Sequence, residues 1–251
     1  MIDTQVIQLS ESVYCVRRPS YVTCSYMVVS AAGVILVDAG MASNGRDVHS
    51  GLGHIGRSVG SVRAILLTHW HNDHAAGASA IHEASGAPVY YHAAEAPFLT
   101  RRTANLGLRG WLSELFPEYG IFVLFKGLLG EAPPRAIRAT NFVTDGQPLL
   151  DGFVVLETPG HTAGHVSYYY EPEKALFAGD ALAVVGDRIR FMARPVTQNQ
   201  EQARASMMKC LALDVAMVCP GHRLPLTKDA RPRLNEMRRY LTEGGPWPLF
   251  G

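Results

Sequence analysis

Three histidines and an aspartate fall within six positions in the stretch LLTHWHNDHAAG, residues 66–77, directly behind an apolar run. Imidazole and carboxylate groups are the ligand set that suits zinc, iron or manganese. In an extended strand successive side chains alternate faces, so His69 and His71 are expected to point the same way and reach one ion. Asp73 and His74 follow where the chain turns, and can aim at a neighbouring position. One short segment can thus serve two cations.

A metal centre needs donors from elsewhere, and the chain offers them in the same placement. VVLETPGHTAGH presents His161 after a Pro-Gly turn, KALFAGD ends in Asp180, and VAMVCPGH ends in His222 after a second Pro-Gly turn. Each apolar run delivers one ligand-type residue where the chain leaves a sheet, and loops anchored on a rigid sheet are the usual seat of chemistry. His49, His54, His82 and His92 lie outside these motifs and read as ordinary surface or core residues.

The elements that must position these groups are legible. SVYCVRR, SYMVVS and GVILVDAG are short, rich in β-branched and aromatic residues and bounded by Gly, Ser or Pro, which predicts successive strands. Residues 42–58 suit a helix, VRAILLTH a buried strand, AAGASAIHEASG a helix stopped by Gly, and PVYYH another strand. Such alternation predicts an α/β fold. Residues 92–134 break the rhythm with helix-like apolar spacing and a Pro-Pro end, which predicts an inserted helical segment. It serves as a packed hairpin, a lid over an apolar substrate or a dimer surface. Strands return in NFVTDG, FVVLETPG, HVSYYYEP, KALFAGDAL and RIRFMARPV. A helix near 199–211, the strand VAMVCPGH and a basic helix near 228–242 complete the chain. With no repeat, low-complexity tract or linker, residues 1–251 read as one domain.

Composition narrows the partners. Hydrophobic residues make up 47% and charged residues 18%, enough apolar material for a packed core and no sign of disorder. A net charge of +1 gives no general attraction for nucleic acid or an acidic membrane, so a small-molecule substrate is expected. Cys15, Cys24, Cys210 and Cys219 are scattered, without a C-x-x-C pair, and read as buried thiols. The N-terminal residues lack a secretory apolar stretch and IFVLF at 121–125 is far too short to span a bilayer, so the expectation is a cytoplasmic protein without a membrane span.

The order THWHNDH, TPGHTAGH, FAGD and PGH, preceded by ILVDAG, resembles the metallo-β-lactamase fold superfamily over most of residues 20–225. That resemblance implies an αβ/βα four-layer sandwich with a dinuclear site at the sheet edge, the 92–134 insertion standing chiefly outside it. His69, His71 and His161 would hold one metal, Asp73, His74 and His222 the other, and Asp180 would bridge them. Two divalent ions, zinc first, with iron and manganese as the other fits, would share a hydroxide that is nucleophilic near neutral pH. Asp73 would orient that hydroxide or relay a proton. Asp38 and His165 would each orient a ligand histidine through its other ring nitrogen.

The superfamily hosts several chemistries, so the substrate must come from the details. Only residues 223–251 follow His222, which argues against the C-terminal helical domain of glyoxalase II, and the FAGD aspartate argues against a true β-lactamase. The absence of a basic arm argues against a nuclease. The expected activity is hydrolysis of lactones or related esters and thioesters with an apolar acyl part. An iron-dependent oxidoreductase resembling persulfide dioxygenases is the rival, and a homodimer is consistent with the apolar insertion.

Overall fold

The computed structural model describes residues 4–100, 135–138 and 141–249. Residues 101–134, the greater part of the expected insertion, lie outside that description. The chain forms two compact units, Met1–Tyr90 with Ala96–Asn141 and Tyr91–Glu95 with Phe142–Gly251.

The first unit is built on a seven-stranded sheet of β1 (Gln5–Gln8), β2 (Val13–Arg18), β3 (Thr23–Ser30), β4 (Gly33–Val37), β5 (Val62–Leu66), β6 (Val89–His92) and β7 (Asn141–Val143), hydrogen-bonded in chain order. The chain passes between the units within β6, between Glu95 and Ala96, and within β7. β1 to β4 form an antiparallel meander, whereas β4, β5 and β6 are parallel neighbours. Their crossovers carry helices α1 (Arg46–His54) and α3 (Ala78–Ser85), with the single turn α2 (Asn72–Ala75) before α3. GVILV of β4 is buried throughout and VRAIL of β5 at all but Arg63, the near-continuous apolar run that parallel strands covered on both faces require. β1 was not anticipated. Its two apolar residues among glutamines carry little signal, and it becomes a strand by pairing with β2 as an edge.

One sequence expectation shifts here. β5 stops at Leu66, so His69 and His71 stand in the loop beyond it rather than on a pleated strand. Within 93–100 a tight turn at Ala93–Glu95 leads into the four-residue helix α4 (Ala96–Leu99).

The second unit holds β8 (Phe153–Glu157), β9 (Val166–Tyr170), β10 (Ala175–Gly179), a hairpin of β11 (Ala183–Val185) and β12 (Arg188–Arg190), helix α5 (Gln200–Leu211), β13 (Met217–Pro220) and helix α6 (Ala230–Thr242). Its main sheet runs in the order β13-β10-β9-β8. β9 is antiparallel to both β8 and β10, and β13 is parallel to β10, so β8, β10 and β13 all point the same way. The core joins Leu156, Leu176 and Val218 of the sheet to Met207, Cys210 and Leu211 of α5 and to Leu234, Met237 and Leu241 of α6. Burial there pushes the Cys210 thiol up to about 11. Asn199 caps α5 by accepting from the Gln202 amide at 3.1 Å. Tyr168 and Tyr170 are buried on one face of the strand, while Tyr169 on the other packs against the helical core and donates to Asp214 O at 2.6 Å, the alternation expected of a strand. The basic face of α6 is partly paired, with Arg233 bound to Glu236 at 3.0 Å and to Asp187.

Candidate metal centre

In the first unit every candidate donor follows a strand of the parallel set. Asp38 follows β4, with a left-handed φ of 60°, a conformation that Asp and Asn tolerate best after Gly. Its amide donates to Leu66 O at 2.8 Å and the Ala39 amide to His74 O at 2.7 Å, which ties the end of β4 to the histidine loop. Gly77 is needed for that close approach, because a Cβ there would lie 2.4 Å from Ala39 O.

The buried Asp38 carboxylate organises the loop. It accepts from the Thr68 amide at 2.8 Å, from Thr68 Oγ1 at 2.9 Å and from His74 Nδ1 at 2.8 Å. Thr68 spends its one hydroxyl proton on Asp38, so the 3.0 Å contact between Thr68 Oγ1 and His69 Nδ1 requires the imidazole to be the donor. His69 and His74 are therefore both protonated on Nδ1, and in the neutral ring the lone pair of each lies on Nε2. His69 Nε2 lies 3.0 Å from His71 Nδ1 and His74 Nε2 lies 3.6 Å from Asp73 Oδ2. The donors and their Nε2 lone pairs fit a borderline divalent cation.

In the second unit the three candidates leave the three co-directional strands. His161 follows β8, Asp180 follows β10 and His222 follows β13, where the Gly221 amide donates to Gly179 O at 2.8 Å. Asp180 Oδ2 lies 3.3 Å from His161 Nε2 and 3.4 Å from His222 Nε2, so one carboxylate oxygen faces two imidazoles. His165 was expected to orient a ligand imidazole, but its Nε2 accepts from the Asp180 amide at 2.9 Å. Its Nδ1 must then carry the proton and donate to Thr158 Oγ1 at 2.8 Å. Thr158 passes the direction on to Ser167 at 3.0 Å, and Ser167 donates to Ala178 O at 3.0 Å. His165 thus holds the backbone of the carboxylate ligand candidate.

The end of β8 is clamped as well. The Glu157 amide donates to Asp145 Oδ1 at 2.9 Å, the Asp145 amide to Glu157 Oε1 at 3.1 Å, and Lys209 pairs with Asp145. Partial burial pushes the Asp145 carboxyl up, but the Lys209 ammonium and the Glu157 and Gly146 amides outweigh it and hold the group below 3.8. His92 remains outside the centre, with Nδ1 accepting from the Ala94 amide at 3.2 Å and Nε2 3.3 Å from Glu157.

Sequence reasoning missed Thr68, Thr158 and Ser167. Thr68 had a signal, since it separates the strand from His69 and its hydroxyl is within reach of its neighbour's ring. Thr158 and Ser167 had none short of the three-dimensional contact.

In each unit, strands that end in imidazole and carboxylate groups held by buried hydrogen bonds mark an α/β metal-binding protein. The chain belongs to the metallo-β-lactamase superfamily, whose family model matches residues 19–222. It is similar to the probable metallo-hydrolase YflN of Bacillus subtilis (strain 168), 31% identical over 231 residues, which cover 83% of this chain and 82% of the relative. It is also similar to a hydroxyacylglutathione hydrolase of Fuscovulum blasticum, 28% identical over 203 residues, 74% of this chain. Only 64% of that enzyme's length is spanned. Among solved structures, the metallo-β-lactamase family protein TTHA1429 from Thermus thermophilus aligns with a TM-score of 0.65 at 25% identity, over 94% of this chain and 81% of that one. The metallo-β-lactamase SMB-1 aligns with a TM-score of 0.63 at 24% identity, over 96% and 86%, and shares the fold.

Proposed function

We propose that the protein is a dinuclear metallo-hydrolase that opens lactones or cleaves related carboxylic esters and thioesters with an apolar acyl part. The observation that carries this reading is the Asp38–Thr68 relay, which leaves an Nε2 lone pair on both His69 and His74. The ligand sets follow the family resemblance: His69, His71 and His161 for one ion, Asp73, His74 and His222 for the other, Asp180 between them. Zinc is the first choice, since nitrogen-rich sites with carboxylate suit it, and iron and manganese share the preference. When bound, the ions supply a water ionised near neutral pH and polarise the substrate carbonyl.

The chain's own residues do the rest. Asp73, with its side chain 28% exposed, can reach solvent, orient the nucleophilic water and carry its proton. Asp38 and Thr68 keep the imidazoles from rotating, and His165 keeps the Asp180 backbone in place. Trp70 supports the apolar acyl part. It touches the His71 ring at 4.4 Å and stacks on Phe98 at 4.6 Å and 18°, while Phe98 is 48% exposed. An aromatic pair open to solvent beside a donor residue suits a small substrate with an apolar group. Among the described residues no helix is long and apolar enough to cross a membrane. None of the four cysteines is in a disulfide, which goes with a cytoplasmic site of action.

The test is acid release on a panel of lactones, thioesters, oxyesters and β-lactams, with metal-loaded and chelator-stripped protein. Metal-dependent release on lactones or thioesters is the expected result. Two bound ions with silence across the panel overturn the hydrolase reading, and oxygen consumption by the iron-loaded protein would replace it with the oxidoreductase.

A further inference from the structure

Glu95 is a buried carboxyl, 1% exposed, that none of the chemistry above uses. In the sequence, HAAEAPF reads as an acid placed before a helix start, where a negative charge is ordinarily favourable. The structure turns it elsewhere. Glu95 Oε1 accepts from the Gly164 amide at 2.7 Å and from Thr162 Oγ1 at 3.0 Å, two donors that lie between His161 and His165.

The remaining bonds of that loop show what these two contribute. The Thr158 amide donates to His165 O and the Gly160 amide to Thr162 O, each at 2.9 Å, the His165 amide reaches Thr162 O at 3.5 Å, and the Asn199 amide, the Gln198 amide and Ser206 Oγ donate to Gly160 O, His161 O and Pro159 O at 2.9, 3.4 and 2.7 Å, so these bonds hold the loop backbone up to Thr162. At the tip, the Thr162 hydroxyl and the Gly164 amide are held by Glu95. Thr162 is buried, and a buried hydroxyl or amide stripped of its acceptor bears its full desolvation cost. The space is also committed: a Cβ at Gly164 would lie 2.7 Å from Glu95 Oε1 and 2.9 Å from His92 Nδ1. Glycine is required so that the backbone can reach the carboxyl.

We propose that Glu95 is a positioning residue for the second unit's donor residues, His161 and Asp180. One carboxyl oxygen fixes the tip of the 158–165 loop, and the loop presents His161 at one end and at the other His165, which carries the Asp180 amide. The bracing stands on geometry alone; its consequence for metal affinity rests on the reading of His161 and Asp180 as ligands.

The test uses the full chain as wild type, Glu95→Ala, Glu95→Gln and Gly164→Ala, with two readouts. Hydrogen exchange of the metal-free protein, read in peptides covering 158–166, is expected to be at least about tenfold faster in Glu95→Ala and Gly164→Ala. Glu95→Gln keeps an acceptor oxygen at the same reach and is expected to stay near wild type, whereas a helix-terminus charge effect would leave it as impaired as alanine. Zinc affinity, by competition with a chromophoric chelator, is expected to fall about 10- to 100-fold in Glu95→Ala, the usual consequence of losing a group that orients a ligand. Unchanged exchange in Glu95→Ala overturns the proposal whatever the metal does, and faster exchange with undiminished zinc affinity overturns it as well. A wild type that takes up no zinc overturns the metal-centre reading instead, while exchange still decides the bracing. Should Glu95→Ala not fold, Thr162→Val removes one of the two bonds and reads the same contact with a smaller increment.

Discussion

Asp38→Asn is the substitution that most directly separates a fixed-tautomer metal site from a merely buried polar cluster. Asparagine accepts the left-handed backbone at φ 60° without strain, and its side chain matches aspartate in size, so the loop geometry should survive. What changes is proton count. The carboxylate accepts from the Thr68 amide, from the Thr68 hydroxyl and from His74 Nδ1, at 2.8, 2.9 and 2.8 Å; an amide offers one accepting oxygen and an NH2 that can only donate. If the NH2 faces His74, the imidazole answers by moving its proton to Nε2, the atom a cation would use. Restoring the ligand tautomer sets two N–H groups against each other in a buried space, at about 1–3 kcal/mol. At about 1.4 kcal/mol per factor of ten, that is roughly a 5- to 150-fold loss of affinity at the His74 position. Asp38→Ala would be a worse probe, since it strains the backbone and orphans all three donors at once. The assay is zinc titration against a chelator, alongside urea unfolding of the metal-free protein to show that the fold persists. Affinity within about twofold of wild type for both ions would refute the tautomer argument.

Asp73→Ala is expected to remove most hydrolysis, at least about 100-fold in kcat, as for loss of a group that handles a proton, with a circular dichroism spectrum like wild type; near-normal turnover would unseat Asp73. Phe98→Ala should flatten the dependence of kcat/KM on acyl chain length while leaving bound metal unchanged, and an unaltered length profile would exclude the Trp70–Phe98 face as an acyl contact. Lys209→Met tests a pH window. Because Asp145 is held below 3.8, its stabilisation is present above the unfolded value and lost as pH falls through the folded one. Wild type should exceed the variant by at most about 1 kcal/mol near neutrality, since the pair is largely exposed, and the gap should close as acid is added below pH 4; a gap that widened in acid would reverse the assignment.

The ligand candidates were legible because each stands at a strand end, and strand ends announce themselves as an apolar run stopped by Gly, Pro or a charge. GVILV, VRAIL, ALFAG and MVCP all became strands leading to donors. The pairing of His69 with His71 was expected for a reason that does not hold. Strand alternation cannot apply beyond Leu66; Thr68 and Asp38 hold the His69 ring, and the loop brings His71 Nδ1 within 3.0 Å of His69 Nε2. The role of His165 was not legible either. The motif HTAGH places a second imidazole four residues from the first, but nothing local says that its partner is a backbone amide fifteen residues on.

Buried carboxyl groups that are not themselves ligand candidates recur beside the donor residues of each unit. Asp38 sets two imidazole tautomers, and Asp47 Oδ2 accepts from the Met41 and Ala42 amides at 3.2 and 3.0 Å, 3.8 Å from the Arg18 guanidinium, fixing the turn that follows Asp38. Glu95 does the same for the turn that follows His161. Strand ends bring imidazoles to one edge of a sheet, but a loop left to itself samples many backbone states, and ordering it costs about 1–2 kcal/mol per residue. A carboxyl oxygen that accepts two bonds from the loop supplies that order from a rigid neighbour. The selective constraint on such a protein should therefore fall on Asp38, Asp47 and Glu95 nearly as heavily as on the histidines, because misplacing a donor by an ångström removes it from the site as surely as substitution does.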